Sequence, residues 1–146
     1  MIIAGYPCCG KSSIAARNSN FIDLESSNFH TPGDKTKDWA DRYAAVAKDL
    51  SKHHHVFIST HEAVLSCLLN YPDLILVFPS PELKQDWTMR AQMRWQQSLQ
   101  NDVEKNRRAY ERIRDHFDED INALMNYQSS RIILSSMNVW IDDIIK

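Results

Sequence analysis

The chain has 146 residues, of which 43% are hydrophobic and 25% charged, and its formal net charge is -2 at pH 7. This composition excludes a disordered chain, and the small net charge excludes a surface that binds nucleic acid through positive charge alone. The three cysteines form neither a disulfide framework nor the paired spacing of a structural zinc site, which favours a cytoplasmic setting. The apolar runs are too short for a membrane span, so we expect no membrane partner. The length of the chain predicts a single domain over residues 1–146.

Short, continuous apolar runs alternate with helical patterns along the chain. Such runs are typical of strands that are covered on both faces, as in a parallel sheet. In chain order, we predict strands over residues 2–4, 21–24, 56–58, 74–78 and 132–134. Helices are predicted over residues 11–17, 36–52, 62–69, 81–127 and 139–145. This alternation predicts a three-layer α/β domain, with helices on both faces of the sheet and ligands beyond the carboxyl ends of the strands.

Two of the three glycines lie in one short stretch after the first predicted strand. Residues 5–12 read Gly-Tyr-Pro-Cys-Cys-Gly-Lys-Ser, which matches the pattern GxxxxGK[ST] in full. Between a strand and a helix, this pattern lets main-chain N–H groups point at phosphate oxygens. We expect Lys11 to reach the β- and γ-phosphates of ATP, and Ser12 to bind Mg²⁺. The predicted ATP-binding residues are Gly5, Tyr6, Pro7, Cys8, Cys9, Gly10, Lys11, Ser12 and Ser13.

The strand, loop and helix at the start of the chain, together with the alternation that follows, resemble the P-loop nucleoside and nucleotide kinases. Residues 22–29, Ile-Asp-Leu-Glu-Ser-Ser-Asn-Phe, are similar to a segment of the small deoxynucleoside monophosphate kinase-like proteins of bacteriophages. The likeness covers most of the chain, and the phosphate-loop motif is its specific part. The resemblance implies a five-stranded parallel sheet of order 2-3-1-4-5, a mobile lid and ATP-dependent phosphoryl transfer to a nucleotide or nucleoside in the host cytoplasm.

Two carboxylates, Asp23 and Glu25, follow the second predicted strand at the edge where an acceptor would bind. Asp23 could accept a proton from an acceptor hydroxyl, or it could hold Mg²⁺. An acceptor that is already a phosphate needs no base, which favours the metal-binding role for Asp23 and an acceptor-binding role for Glu25. The alternative is that these acids cap the next helix.

The third predicted strand is followed by Ser59, Thr60, His61 and Glu62, without the aspartate that holds the metal in many ATPases. This departure disfavours a motor-type ATPase, whereas a simple phosphotransferase can complete the magnesium environment with Ser12 and Asp23. We expect His61 to face the cleft and to bind the acceptor. The alternative is that Ser59 or Thr60 caps the following helix.

A local surplus of positive charge lies in the long predicted helix, with eight Lys or Arg against four acids between residues 84 and 114. Arg90 and Arg94 are four residues apart on one helical face. We expect both to close over the transferred group, as part of a lid over residues 81–115. The alternative is a solvated helix whose basic side chains pair with acids, which we expect for Lys105, Arg107, Arg108, Arg112 and Arg114.

Residues on the helix after the second strand are candidates for the acceptor side. Arg42 could bind an acceptor phosphate, and Phe29, Trp39 or Tyr43 could stack on a base. The alternative is that the aromatic residues pack the helix onto the sheet, with Arg42 at its rim.

The phosphate-loop motif and the resemblance together imply an MgATP-dependent kinase that acts on a small-molecule (deoxy)nucleoside monophosphate. One alternative is a hydroxyl kinase for a nucleoside, a modified base or a polynucleotide end, with Asp23 as general base. A second is a nucleotide-binding module that controls a partner and transfers nothing.

Overall fold

The computed structural model describes residues 1–30, 35–137 and 141. Within them, the strands are β1 (Ile2–Gly5), β2 (Phe21–Asp23), β3 (His55–Ile58), β4 (Leu74–Pro79) and β5 (Ser130–Leu134). The helices are α1 (Lys11–Arg17), α2 (Asp38–Leu50), α3 (Glu62–Cys67), α4 (Lys84–Gln96) and α5 (Val103–Asn126). Short 3-10 helices lie at Ser26–Asn28 and Pro81–Leu83.

The strands form one parallel sheet in the order β2-β3-β1-β4-β5, which confirms the predicted α/β class and strand order. In the register, Ile2 of β1 lies beside Val56 of β3 and Leu74 of β4, and Asp23 of β2 lies beside Phe57. Because parallel strands end at the same edge, the residues that follow β1, β2 and β3 meet there.

Burial along the strands follows their place in the sheet. The central strand β1 is buried throughout, and β3 and β4 are buried over most of their length. The outer strands β2 and β5 are more exposed, since each has a neighbour on one side alone. Continuous apolar runs therefore predicted the three inner strands for the right physical reason.

The chain divides into two units. The first comprises Met1–Tyr6, Gly10–Val77 and Gln128–Ile132, and the second comprises Pro7–Cys9, Phe78–Tyr127 and Ile133–Lys146. In the first unit, α2 contacts both β3 and α3. Its inner face repeats at intervals of three and four residues, as a helix on a sheet requires, and consists of Trp39, Ala40, Tyr43, Ala44 and Ala47.

The second unit contains α4 and α5, which pack against each other. The prediction of one helix over 81–127 is wrong, because the segment forms a 3-10 turn and two helices. Ser98 Oγ donates to the Arg94 carbonyl at 2.9 Å, and Asn106 Nδ2 donates to Ser98 Oγ at 2.7 Å. The Ser98 hydroxyl thus satisfies a carbonyl at the end of α4, and Asn106 joins the start of α5 to that serine.

Other predicted boundaries differ by a few residues: the helices predicted over 36–52 and 62–69 are shorter at α2 and α3. The helix predicted over 139–145 lies outside the described residues, apart from Ile141, which is buried. Within the described ranges, no helix combines the length and the apolar character that a membrane crossing needs.

Candidate functional site

Residues 5–12, here called the 5–12 loop, comprise the last residue of β1, the connection and the first two residues of α1. Gly10 adopts a left-handed conformation with φ 96° and forms the N-cap of α1, and Cys8 also has a positive φ, 68°. Side chains of Tyr6, Cys8 and Cys9 are buried. With these side chains turned away from solvent, the main chain is the part of the loop that suits a ligand, as the phosphate-loop motif predicts.

The side chain of Lys11 extends toward the end of β1. Its Nζ donates a hydrogen bond to the Gly5 carbonyl at 2.5 Å. A Cβ atom on Gly5 would stand 2.8 Å from Lys11 Cδ, closer than real Cβ contacts come. Glycine at position 5 therefore allows the lysine side chain to pass directly over the end of β1.

Ser12 and Asp23 are in direct contact. Ser12 is in the first turn of α1 and Asp23 is the last residue of β2, and Ser12 Oγ donates to Asp23 Oδ2 at 2.7 Å. The structure thus brings together the two residues that the sequence predicts to hold Mg²⁺. A hydroxyl and a carboxylate are hard oxygen donors of the kind that Mg²⁺ takes in proteins, so this donor set fits the ion. Ser13 follows on the exposed side of α1.

A group of rings, here called the aromatic cluster, lies beyond the carboxyl ends of β2 and β3. Ring centroids are 5.1 Å apart for Phe29 and Tyr43, 4.6 Å for His30 and Trp39, and 4.9 Å for Trp39 and His61. Trp39 and Tyr43 are 2% and 0% exposed, so they pack into the core and offer no face to a base. Phe29 and His30 are half-buried and His61 is exposed, which leaves these three rings for an acceptor.

His30 was not predicted as a site residue. It adjoins Phe29 in the sequence, and no motif contains it, so its ring contact with Trp39 is visible only in the folded chain. Two further acceptor candidates lie elsewhere in the first unit. Glu25 is half-buried and directly precedes the 3-10 helix at Ser26–Asn28, and Arg42 is exposed on α2.

His61 caps α3. Its Nδ1 accepts a hydrogen bond from the Ala63 N–H at 3.2 Å, so the predicted alternative of a Ser59 or Thr60 cap is wrong. An imidazole that accepts at Nδ1 carries its proton on Nε2. Ser59 Oγ is buried and has no hydrogen-bond partner among the described residues.

Tyr43 links the ends of two strands. Its hydroxyl donates to the Leu24 carbonyl and accepts from the Ser59 N–H at 3.2 Å. Burial raises the pKa of this phenol well above its ordinary value, and the nearby charges of Asp23 and Glu25 raise it further. Tyr43 therefore stays protonated at every physiological pH.

In the second unit, Arg90 contacts the middle of the 5–12 loop. Its Nη1 donates to the Cys8 carbonyl at 3.2 Å, and its Nη2 donates to the Met137 carbonyl at 2.8 Å. Its guanidinium lies 4.3 Å from the centroid of the Trp87 ring, and Trp87 Nε1 donates to the Pro7 carbonyl at 2.8 Å. Burial lowers the pKa of Arg90, but a guanidinium remains charged at neutral pH.

Arg94 lies one turn further along α4, with Nη1 3.8 Å from Cys8 Sγ. Both arginines line a cavity of about 660 Å³ in the second unit, together with Met93, Asn106 and Met137. Three of the basic residues that we expected to pair with acids on a solvated helix do so. Ion pairs join Arg107 to Glu104 and Glu111, Arg112 to Asp120, and Arg114 to Asp115.

Comparison with protein-family models, with curated proteins and with solved structures gave no match.

Proposed function

We propose that this protein is a P-loop kinase that transfers the γ-phosphoryl group of MgATP to a (deoxy)nucleoside monophosphate. The observation that carries the proposal is the hydrogen bond between Ser12 and Asp23. The two residues are eleven positions apart in the sequence, on different elements, and their oxygens meet at the start of the helix that follows the 5–12 loop.

The loop supports the binding of a triphosphate. Left-handed backbone at Cys8 and Gly10 turns the chain sharply before α1, and such turns direct successive N–H groups toward one point. Lys11 adds a positive charge that lies over the loop, where its Nζ donates to the Gly5 carbonyl. An ammonium group bonds more strongly to an anionic phosphate oxygen than to a neutral carbonyl.

Ser12 and Asp23 would hold Mg²⁺, with the serine hydroxyl as a ligand and the carboxylate as a ligand or as the acceptor for a bound water. The ion, when bound, neutralises charge on the β- and γ-phosphates. Asp23 accepts the hydrogen bond from Ser12, so the hydroxyl proton points toward the carboxylate and the lone pairs of the hydroxyl oxygen would serve the ion.

In the transfer step, an oxygen of the acceptor phosphate forms a bond to the γ-phosphorus. The bond from that phosphorus to the bridging β-oxygen breaks, and ADP leaves with the electron pair. The acceptor oxygen is already ionised, so no residue has to remove a proton. This agrees with an Asp23 carboxylate that is engaged with Ser12 rather than held apart as a base.

Arg90 and Arg94 supply positive charge at the Cys8 turn of the loop. Arg90 is held by two carbonyls and a tryptophan ring, and both arginines line the cavity of the second unit. Phe29, His30 and His61 offer partly exposed rings, which suits an acceptor with an aromatic base.

The direct test is a panel of acceptors incubated with MgATP labelled in the γ-phosphate. The panel contains nucleosides, nucleoside monophosphates and short DNA ends with and without a 5′-phosphate. We expect labelled diphosphates from one or more monophosphates. Label on a free hydroxyl would instead identify the hydroxyl kinase, and tight ATP binding without any product would identify a module that transfers nothing.

Lys11→Ala is expected to lower the rate of product formation by at least about 10²-fold, because it removes a cation from the developing charge on the phosphoryl group. Lys52→Ala is the matched control, since Lys52 is an exposed lysine of the same unit that pairs with Asp49 at 3.0 Å. The control should keep the wild-type rate, and both variants should keep the wild-type circular dichroism spectrum. A Lys11→Ala variant with the rate of the control would refute the assignment of the site.

A further inference from the structure

The hydrogen bonding between β2 and β3 changes at the carboxyl end of the pair. Leu24 N donates to the Phe57 carbonyl at 2.9 Å, which continues the regular parallel pattern. In that pattern, the Leu24 carbonyl would next accept directly from the Ser59 N–H. The Tyr43 hydroxyl lies between these two groups instead, donating to Leu24 and accepting from Ser59. One phenol hydroxyl has therefore replaced one strand-to-strand hydrogen bond.

The position of that hydroxyl is set by α2. Tyr43 is fully buried on the inner face of the helix, α2 contacts β3, and the Phe29 ring meets the Tyr43 ring edge-on at 5.1 Å. A ring enclosed in this way cannot move without opening the core. The spacing of the two strand ends is thus determined by a helix that lies outside the ladder.

The two groups held by Tyr43 adjoin the proposed metal site. Leu24 directly follows Asp23, whose carboxylate accepts from Ser12 at 2.7 Å. Ser59 directly follows β3, and its Oγ is buried without a partner among the described residues. A change in the spacing of the strand ends would move Asp23 relative to Ser12, which stands on α1.

We propose that Tyr43 is a positioning residue for Asp23. Its hydroxyl separates the ends of β2 and β3 by one bridging oxygen and so places the Asp23 carboxylate where Ser12 and a magnesium ion can share it. The inference rests on the proposed function, because it gives Tyr43 a part in the binding of the magnesium nucleotide.

The test compares the Kd of ATP in Mg²⁺ with its Kd in EDTA, by calorimetry, for the wild type, Tyr43→Phe, Asp23→Asn and the double variant. Phenylalanine keeps the buried ring and removes the bridging oxygen alone. We expect Tyr43→Phe to raise the Kd of MgATP by about 10-fold, because loss of a group that orients a metal ligand weakens metal binding by that order. The Kd of metal-free ATP should stay unchanged. The double variant should be no weaker than Asp23→Asn, because both substitutions disturb one carboxylate.

Tyr71→Phe is the matched control. Its hydroxyl lies 3.2 Å from Ser51 Oγ in the same unit, at the amino ends of the strands, so its removal should leave both Kd values unchanged.

The outcomes distinguish the binding of MgATP from the positioning role of Tyr43. If the wild type shows no magnesium-dependent binding of ATP, the proposed function is wrong and the role of Tyr43 falls with it. If binding of ATP to the wild type depends on magnesium, two results would overturn the role of Tyr43 alone. One is equal weakening of both Kd values in Tyr43→Phe, and the other is multiplication of the two effects in the double variant.

Discussion

Three side chains make specific contacts at the carboxyl edge of the sheet. Lys11 lies over Gly5 because glycine has no Cβ to obstruct it, Asp23 orients the hydroxyl of Ser12, and Tyr43 joins two strand ends through one oxygen. The first two contacts concern groups that can exchange their partners for a ligand. The contact made by Tyr43 is buried, so its loss would disturb the packing of the core.

The buried phenol of Tyr43 makes stability fall at alkaline pH. Burial raises its pKa above the ordinary value of about 10, so the folded chain holds the phenolic proton to a higher pH than the unfolded chain does. The stabilisation that results is complete below about pH 10 and is lost as the pH rises beyond it. Above about pH 10, the free energy of unfolding should therefore fall more steeply with pH in the wild type than in Tyr43→Phe, by up to about 1.4 kcal/mol per pH unit.

Urea unfolding of both proteins at successive pH values measures this difference. Equal slopes in the wild type and Tyr43→Phe would mean that the phenol ionises as readily in the folded chain as in the unfolded one. The environment assigned to Tyr43 would then be wrong.

At the residue scale, sequence reasoning reached the pair of Ser12 and Asp23, because a full motif and a strand end place each of them at one edge. It did not reach the Tyr43 hydroxyl or the His30 ring. Both act through contacts with groups distant in the chain, such as the Ser59 N–H and the Trp39 ring, and no local pattern encodes those contacts.

At the scale of elements, the transition from the 5–12 loop to α1 depends on Gly10. Its φ of 96° lies in the left-handed region, which side chains with a Cβ rarely adopt. We expect Gly10→Ala to lower the free energy of unfolding by about 1–2 kcal/mol, the usual cost of that conformation for other residues. Thermal or urea unfolding measures it.

Ser13→Ala is the control for that substitution, since Ser13 is exposed in the first turn of the same helix. It should change stability by no more than about 0.5 kcal/mol. A Gly10→Ala variant as stable as this control would show that the loop does not need the left-handed turn at its end.

Element prediction succeeded where hydrophobic periodicity was strong and failed where a helix ended without glycine or proline. The run at 11–17 matches α1, while the run at 81–127 hides the break between α4 and α5. That break depends on Ser98 and Asn106, whose side chains bond across the turn. Polar residues of this kind also occur within helices, so the sequence did not mark the break.

At the scale of the whole molecule, the parallel sheet and its strand order agree with the expectation from the resemblance to P-loop kinases. The alternation of apolar runs and helical segments predicts a parallel sheet on physical grounds, because parallel strands need crossover connections. The order of the strands came from the resemblance. Periodicity describes one element at a time and carries no information about which strands become neighbours.

We propose that the main chain of the 5–12 loop binds the triphosphate of a magnesium nucleotide. The most direct measurement is a titration of ¹⁵N-labelled protein with MgATP, followed through its assigned ¹H–¹⁵N resonances. We predict that the largest shifts fall on the amides of residues 8–12, and that Lys11→Ala weakens the binding while Lys52→Ala does not. Loop resonances that stay unmoved at saturating MgATP, or shifts that centre on another part of the chain, would show that the triphosphate does not bind to this loop.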